Sequence, residues 1–430
     1  MTEPTRAIPR RYRAAYLRRD EVGMFGDAPP GPDRDVRRSL HVGEVPMPEP
    51  APDEVLVAVM AAGVNYNTVW SAMFEPVPTF AFLARYGRTS ADAARHDTDR
   101  HVIGSDASGI VVAAGAAVRT WAPGDRVVIS PAHIDAEDPD AQEDAMVSAG
   151  QRAWGFETNF GGLADYALVK ATQLIRKPAH LTWEEAAVNT LCAATAYRML
   201  AGRHGARMTQ GDVVLVWGAT GGLGGYAVQL VRNGGGIPVG VVGSPDKAAL
   251  LRRMGCPYVV ERAELGVEPD ELASSVKAWR RLGEAIRRQV GEDPHIVFEY
   301  VGRETFGASV YVTRRGGTVV TCGSSSGYRH EYDNRYLWMN LKRIIGSHGA
   351  NHREASDVNR LIGLGMLVPT LSRTYDLADV GEAVRAVQLN RHVGKVAVRC
   401  LAEADGLGVD DPELRARVGE ERLGLFRTPE

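Results

Sequence analysis

Residues 213–230 read VVLVWGATGGLGGYAVQL. The opening VVLV is a short apolar, β-branched run, the pattern of a strand buried on both faces. Glycines follow at Gly218, Gly221 and Gly224, and the apolar residues beyond them recur at helical spacing. A glycine turn between strand and helix lets a pyrophosphate approach the backbone. The helix N-terminus then supplies N–H donors and the positive end of its dipole. The spacing is GxxGxxG, a variant of the dinucleotide fingerprint. In this strand–turn–helix setting it predicts a nucleotide site at Gly218, Gly221, Gly222, Leu223 and Gly224.

The alternation continues outward. IPVGVVG (237–243), YVVER (258–262), HIVFEYVG (295–302), GGTVVTCG (316–323) and RIIGSH (343–348) read as strands, and PDKAALLRRMGC (245–256) as a helix. Strands alternating with helices predict a parallel sheet covered on both faces, an α/β fold. Gly323, closing one of these strands, is taken as a further cofactor contact. A charged helical insertion at about 264–290 interrupts the pattern.

After the second strand an NAD site carries an acid for the ribose 2′-hydroxyl. Here VVGSPDK puts Ser244 near that position with Lys247 close behind. A hydroxyl and an ammonium suit a 2′-phosphate, so NADPH is preferred. Asp246 is the competing acid, read instead as a first-turn residue favoured by the helix dipole. Arg262, after the third strand, either faces the adenosine phosphate or is a surface arginine.

Upstream, residues about 40–130 are β-rich, with EVLVAVMAAGVN (54–65) as the clearest strand. An acidic stretch at about 134–152 predicts an exposed loop or short helix. In LTWEEAAVNTLCAATAYRML (181–200) Thr182 and Glu185 have the spacing of a capping box opening a helix. Beyond 350 the expectation is two helices, the strand GKVAVRC and a polar tail. The domain division read from these changes is 1–190, 191–349 and 350–430, the last returning to the first domain. The Arg-rich start, with Tyr12, Tyr16 and Leu17 among its charges, has no apolar core of a signal peptide and reads as a structural arm.

The net charge of −3 over 430 residues gives no electrostatic case for nucleic acid or a membrane surface. No run of about 18 apolar residues exists. Cys192, Cys256, Cys322 and Cys400 are scattered with no CxxC pair, which argues against a disulfide framework or structural zinc and for a cytoplasmic protein.

WGFETNFGG (154–162) sets Glu157 among Trp154, Phe156 and Phe160. It is either a solvated loop or a carboxylate held in apolar surroundings for chemistry.

The order of these segments resembles the medium-chain dehydrogenase/reductase superfamily, which implies a GroES-like β-rich catalytic domain plus a Rossmann domain. Zinc members carry Gly-His-Glu where this chain has Gly104-Ser105-Asp106, and the usual cysteine ligand is missing near Asn65–Thr68, implying a zinc-free enzyme. NYNTVW (65–70), IGSDASG (103–109), RAWGFETNFGGLA (152–164), GRETFGASV (302–310), HEYDNRYLWM (330–339) and KRIIGSH (342–348) resemble crotonyl-CoA carboxylase/reductases over nearly the whole chain.

That resemblance implies reduction of a 2-enoyl-CoA by NADPH with capture of CO2. It assigns CO2 binding to Asn67, Phe156, Glu157 and His348, with Asn65 as the alternative asparagine. Arg335 is the candidate for a CoA phosphate, and a homodimer or a tetramer of paired dimers is expected. Three departures stand out. Tyr300-Val301 replaces a His-Pro, LCAATAY (191–197) differs from an Asn-Ser-Thr-Ala-Tyr run, and Gly349 follows His348 where simple crotonyl enzymes have Phe. The last predicts a roomier acyl pocket and a longer or branched substrate, for polyketide extender units. The competing expectations are an NADPH-dependent enoyl-CoA reductase without carboxylation and a non-enzymatic NADPH-binding protein.

Overall fold

The computed structural model describes residues 8–268 and 271–427. The first seven residues of the N-terminal arm therefore lie outside the described residues. Two compact units form. One comprises residues up to 191, 351–365 and from 371 onward; the other comprises 192–350 and 366–370. Residues 366–370 thus sit in the second unit, inside the stretch read from sequence as a return to the first.

The second unit is a Rossmann fold. Six strands, Val213–Val216, Ile237–Val242, Tyr258–Glu261, Ile296–Glu299, Thr318–Thr321 and Arg343–Gly346, make one parallel sheet. In space they run third, second, first, fourth, fifth, sixth. That order reverses direction beside the first strand, and the crevice there is where dinucleotides bind. Val213, Leu215, Val239, Val297 and Val319 are fully buried, as strands covered on both faces require. The charged insertion is the helix Val276–Val290, which buries Ala278, Trp279, Leu282 and Ile286 on one stripe and turns its arginines outward.

The first unit is built on the strand Glu54–Val64. It pairs antiparallel with Ala107–Ala114, Tyr166–Lys170 and Lys395–Arg399. The arm folds as the strand Arg11–Arg18 between His41–Pro46 and Arg100–Val102, burying Tyr12, Ala14 and Leu17. Three helices, Tyr66–Met73, Thr79–Gly87 and Ala91–Ala94, interrupt the expected β-rich stretch. The acidic stretch holds two single 3-10 turns, Pro139–Ala141 and Ala145–Val147.

The Thr182–Glu185 capping box forms on both sides, with Glu185 N–H to Thr182 Oγ1 at 3.3 Å and Thr182 N–H to Glu185 Oε2 at 3.0 Å. The helix it opens ends at Ala187, and a second begins at Thr190. Val188 and Asn189 lie between them, and the asparagine favours turns and caps over helix interior. The polar tail is not loose. Arg415 holds Glu185 through two nitrogens, at 2.7 and 3.1 Å, and Leu423 and Phe426 are buried.

Candidate active site

The nucleotide turn is positioned by sterics. Val216 ends the strand and Gly222 begins the helix Gly222–Asn233, with Gly221 as its N-cap. Gly218 has φ +53°, and a β-carbon there would overlap the Tyr300 hydroxyl. That hydroxyl donates to the Gly218 carbonyl at 2.8 Å, so Tyr300 braces the turn. A β-carbon at Gly224 would overlap the Gly218 carbonyl, so the helix packs tightly on the strand. Gly221, Gly222 and Leu223 remain half-exposed at the helix start, as a pyrophosphate cradle requires. Gly323 follows Thr321 at the same edge of the sheet and packs against the Tyr300 backbone.

Ser244 caps the helix Pro245–Arg253. A β-carbon on Gly243 would lie 3.0 Å from Arg262 Nη2. The Lys247 ammonium is held below its ordinary pKa, first by burial and then by the nearby Arg262 charge. Ser244, Lys247 and Arg262 therefore converge at the end of the second strand, while Asp246 sits in the first helical turn. Two cations and a hydroxyl fit the 2′-phosphate of NADPH better than a bare ribose.

Three of the four residues assigned to CO2 lie in the first unit. Asn67 stands in the first turn of Tyr66–Met73, half-buried. Its Nδ2 donates to Ser105 Oγ at 2.8 Å, and that hydroxyl lies 3.1 Å from its Oδ1. Asn65 is used differently. It is buried, and its Oδ1 accepts from Lys395 Nζ, which also bonds the Val64 carbonyl at 2.9 Å and Asp106 at 3.4 Å. Burial raises the Asp106 carboxyl to about 6 against the opposing pull of Lys395.

The loop carrying Phe156 and Glu157 is pressed onto this segment. Gly155 has φ +68°, and a β-carbon there would overlap the Gly104 carbonyl. Gly104 N–H donates to Gly155 O at 3.2 Å, and Gly162 N–H to Gly104 O at 2.9 Å. Ser105, holding Asn67, is the next residue along. Trp154 is fully buried, but Glu157 is not enclosed between rings; it is half-exposed. Its Oε2 accepts from Ala153 N–H at 2.8 Å, closing a tight turn. Its Oε1 has no protein partner among the described residues. Phe156 packs on Phe82, ring centres 5.8 Å apart.

His348 belongs to the second unit, two residues past the edge strand Arg343–Gly346, and is exposed. Gly349 has φ +52°, so the glycine at this position also answers a backbone requirement. Arg335 is exposed and forked onto Asp333, Nε–Oδ1 3.0 Å and Nη2–Oδ2 2.6 Å. Among the described residues no three His, Cys, Asp or Glu side chains are grouped to hold a metal ion. Sequence reasoning missed Ser105 and Phe82 as partners of Asn67 and Phe156. Ser105 stood in a string already noted, but nothing in one dimension pairs it with Asn67.

Comparison with known proteins gives a consistent picture. Residues 51–179 match the family model described as alcohol dehydrogenase GroES-like domain, and 222–363 match zinc-binding dehydrogenase. A crotonyl-CoA reductase of Streptomyces collinus is 55% identical over 413 residues, 95% of this chain and 92% of that protein. A crotonyl-CoA carboxylase/reductase of Cereibacter sphaeroides is 38% identical, over 94% and 91%. The structure of the 2-octenoyl-CoA carboxylase reductase CinF, in complex with NADP and 2-octenoyl-CoA, superimposes with TM-score 0.95. It is 59% identical and covers 98% of this chain and 94% of that one.

Proposed function

The chain belongs to the crotonyl-CoA carboxylase/reductase family, and from that membership we propose that it reductively carboxylates a 2-enoyl-CoA to an alkylmalonyl-CoA. The observation that carries this reading is the similarity, over 98% of the chain, to an enzyme of that activity. Asn67, Phe156, Glu157 and His348, the residue types the resemblance assigns to CO2, are all present in this chain.

When bound, NADPH supplies a hydride to the β-carbon of the enoyl thioester. The electron pair of the C=C bond then resides on the α-carbon of an enolate. That carbon attacks CO2, forming a C–C bond and a carboxylate; a proton taken instead gives plain reduction. The protein's task is to hold CO2 and exclude water. In this reading Asn67 donates an N–H to one CO2 oxygen. Glu157 and His348 hold a water that hydrogen-bonds a CO2 oxygen. Phe156, backed by Phe82, screens the site. The glycine turn and Ser244, Lys247 and Arg262 hold the dinucleotide. Arg335 serves a CoA phosphate by exchanging Asp333 for it.

The acyl chain is read as longer than crotonyl. The relative solved with 2-octenoyl-CoA supports this, as does a glycine at 349. A homo-oligomer, dimer or tetramer, is part of the same reading. The strand Arg343–Gly346 is an end strand of its sheet, and Trp338, Met339 and Leu341 beside it are exposed. A cytoplasmic location goes with it. No helix among the described residues is long and apolar enough to cross a membrane.

The test is NADPH oxidation with crotonyl-CoA and 2-octenoyl-CoA, with and without bicarbonate. A bicarbonate-dependent rate, higher in kcat/KM on octenoyl-CoA, is expected. A rate indifferent to bicarbonate would leave a simple reductase, and a preference for crotonyl-CoA would end the long-chain reading.

A further inference from the structure

Ser105 is fully buried, and its hydroxyl is held against one side chain, the Asn67 carboxamide. The resemblance sets it where zinc relatives carry a metal-binding histidine. A serine cannot take over that ligand's role, yet it is enclosed and engaged.

A primary amide has two N–H donors. One is committed to Ser105 at 2.8 Å. The other has no partner among the described residues, and Asn67 as a whole is only partly buried. Left alone, an asparagine amide swings broadly about its last torsion. Half of that swing would turn the carbonyl oxygen toward an incoming CO2 oxygen, which repels it.

The backbone on either side of Ser105 is fixed. Gly104 is clamped between Gly155 and Gly162, and the Asp106 carbonyl accepts from Gly63 N–H at 2.8 Å. From that fixed backbone the hydroxyl accepts from Asn67 Nδ2 at 2.8 Å and donates to Asn67 Oδ1 at 3.1 Å, engaging both ends of the carboxamide.

We infer that Ser105 is a positioning residue for CO2, its hydroxyl fixing the Asn67 carboxamide so that the outer N–H keeps one direction. The inference rests on the carboxylase reading above. It gives a buried hydroxyl the task of holding a residue that would touch CO2.

The experiment compares wild type, Ser105→Ala, Ser105→Thr and Asn67→Ala. The readouts are KM for CO2, the ratio of alkylmalonyl-CoA to saturated acyl-CoA, and the thermal midpoint. Ser105→Ala should raise KM for CO2 about tenfold, the worth of roughly one hydrogen bond. It should move product toward the saturated acyl-CoA, and Ser105→Thr, which keeps the hydroxyl, should restore the ratio. If the alanine variant does not fold, Ser105→Cys, similar in shape and a weaker donor, reads the same ratio.

A purely structural serine would lower carboxylation and reduction by one factor and leave the ratio at its wild-type value; that overturns the inference. Wild type that forms no carboxylated product defeats the functional reading itself. Wild type that carboxylates, with a ratio sensitive to Asn67→Ala and insensitive to Ser105→Ala, defeats only the positioning role.

Discussion

The backbone N–H of Asn159 donates to His96 Nδ1 at 3.1 Å, two residues beyond Glu157. The Asn159 side chain completes the lock. Its Oδ1 accepts from Val102 N–H and Phe160 N–H, both at 2.8 Å. Its Nδ2 donates to the carbonyls of His96 and Arg100, at 3.2 and 2.8 Å, and to Thr98 Oγ1 at 3.0 Å. One buried amide thus ties the loop bearing Phe156 and Glu157 to the strand Arg100–Val102 and the turn before it. Asn159→Ala strands these buried groups and should cost about 3 kcal/mol or more. The expected result is a clear fall in the thermal midpoint and a lower carboxylated share of product. A midpoint within a degree of wild type would show that the loop is held by other means.

Buried histidines in the first unit, two of them bonded to the same loop, should make it sensitive to acid. Burial pushes the His101 and His133 imidazoles down to about 4 and holds His96 well below its ordinary value. His101 bonds Thr79 Oγ1 and the Thr158 carbonyl, and His133 bonds the Tyr86 hydroxyl. Between pH 6.5 and about 4 the unfolded chain takes up protons that the folded chain refuses. Stability is therefore full above pH 6.5 and falls as pH drops toward 4, by roughly 3 kcal/mol for each of His101 and His133. Thermal midpoints measured across that window should decline steeply. A flat profile would mean that these rings titrate normally in the folded protein.

Lys395 and Asp106 form a buried pair beneath Asn65, with both side chains almost wholly enclosed. Removing one partner leaves an uncompensated buried charge. Lys395→Met should destabilise by about 3–5 kcal/mol, and the double variant Lys395→Met with Asp106→Asn by clearly less. Chemical denaturation of the two variants measures the difference. Equal losses in both would show that the pair is not coupled.

In the proposed reading Lys247 and Arg262 hold the 2′-phosphate of the dinucleotide. The double variant Lys247→Ala, Arg262→Ala should weaken NADPH binding on the order of a hundredfold, as expected for two charge-assisted hydrogen bonds. NADH binding should change only slightly. Fluorescence titration of both nucleotides reads this directly. Equal weakening of the two would place the 2′-phosphate elsewhere.

The nucleotide unit was legible because each strand and helix announces itself within about ten residues. VVLV, IPVGVV and TVVT are β-branched runs, and the glycines between strand and helix answer purely local sterics. The helices at 66–94 were not legible. They are short, and NYNTVWSAM follows a strongly β-patterned run without a side-chain cap at Asn65. The strand Leu371–Asp376 also escaped, since LSRTYD has no alternation and takes its form from pairing with Lys395–Arg399.

The residue types of the candidate site were readable as strings, while their mutual support was not. Ser105 meets Asn67, and Asn159 meets His96, across 38 and 63 residues, and only the folded sheet brings each pair together.

The most direct measurement is the mass of the product formed from 2-octenoyl-CoA with carbon-13 bicarbonate and NADPH deuterated at the transferred position. The account predicts one molecule carrying both labels, deuterium on the β-carbon and carbon-13 in a new carboxylate on the α-carbon. A saturated acyl-CoA carrying deuterium alone, at every bicarbonate concentration, would contradict it.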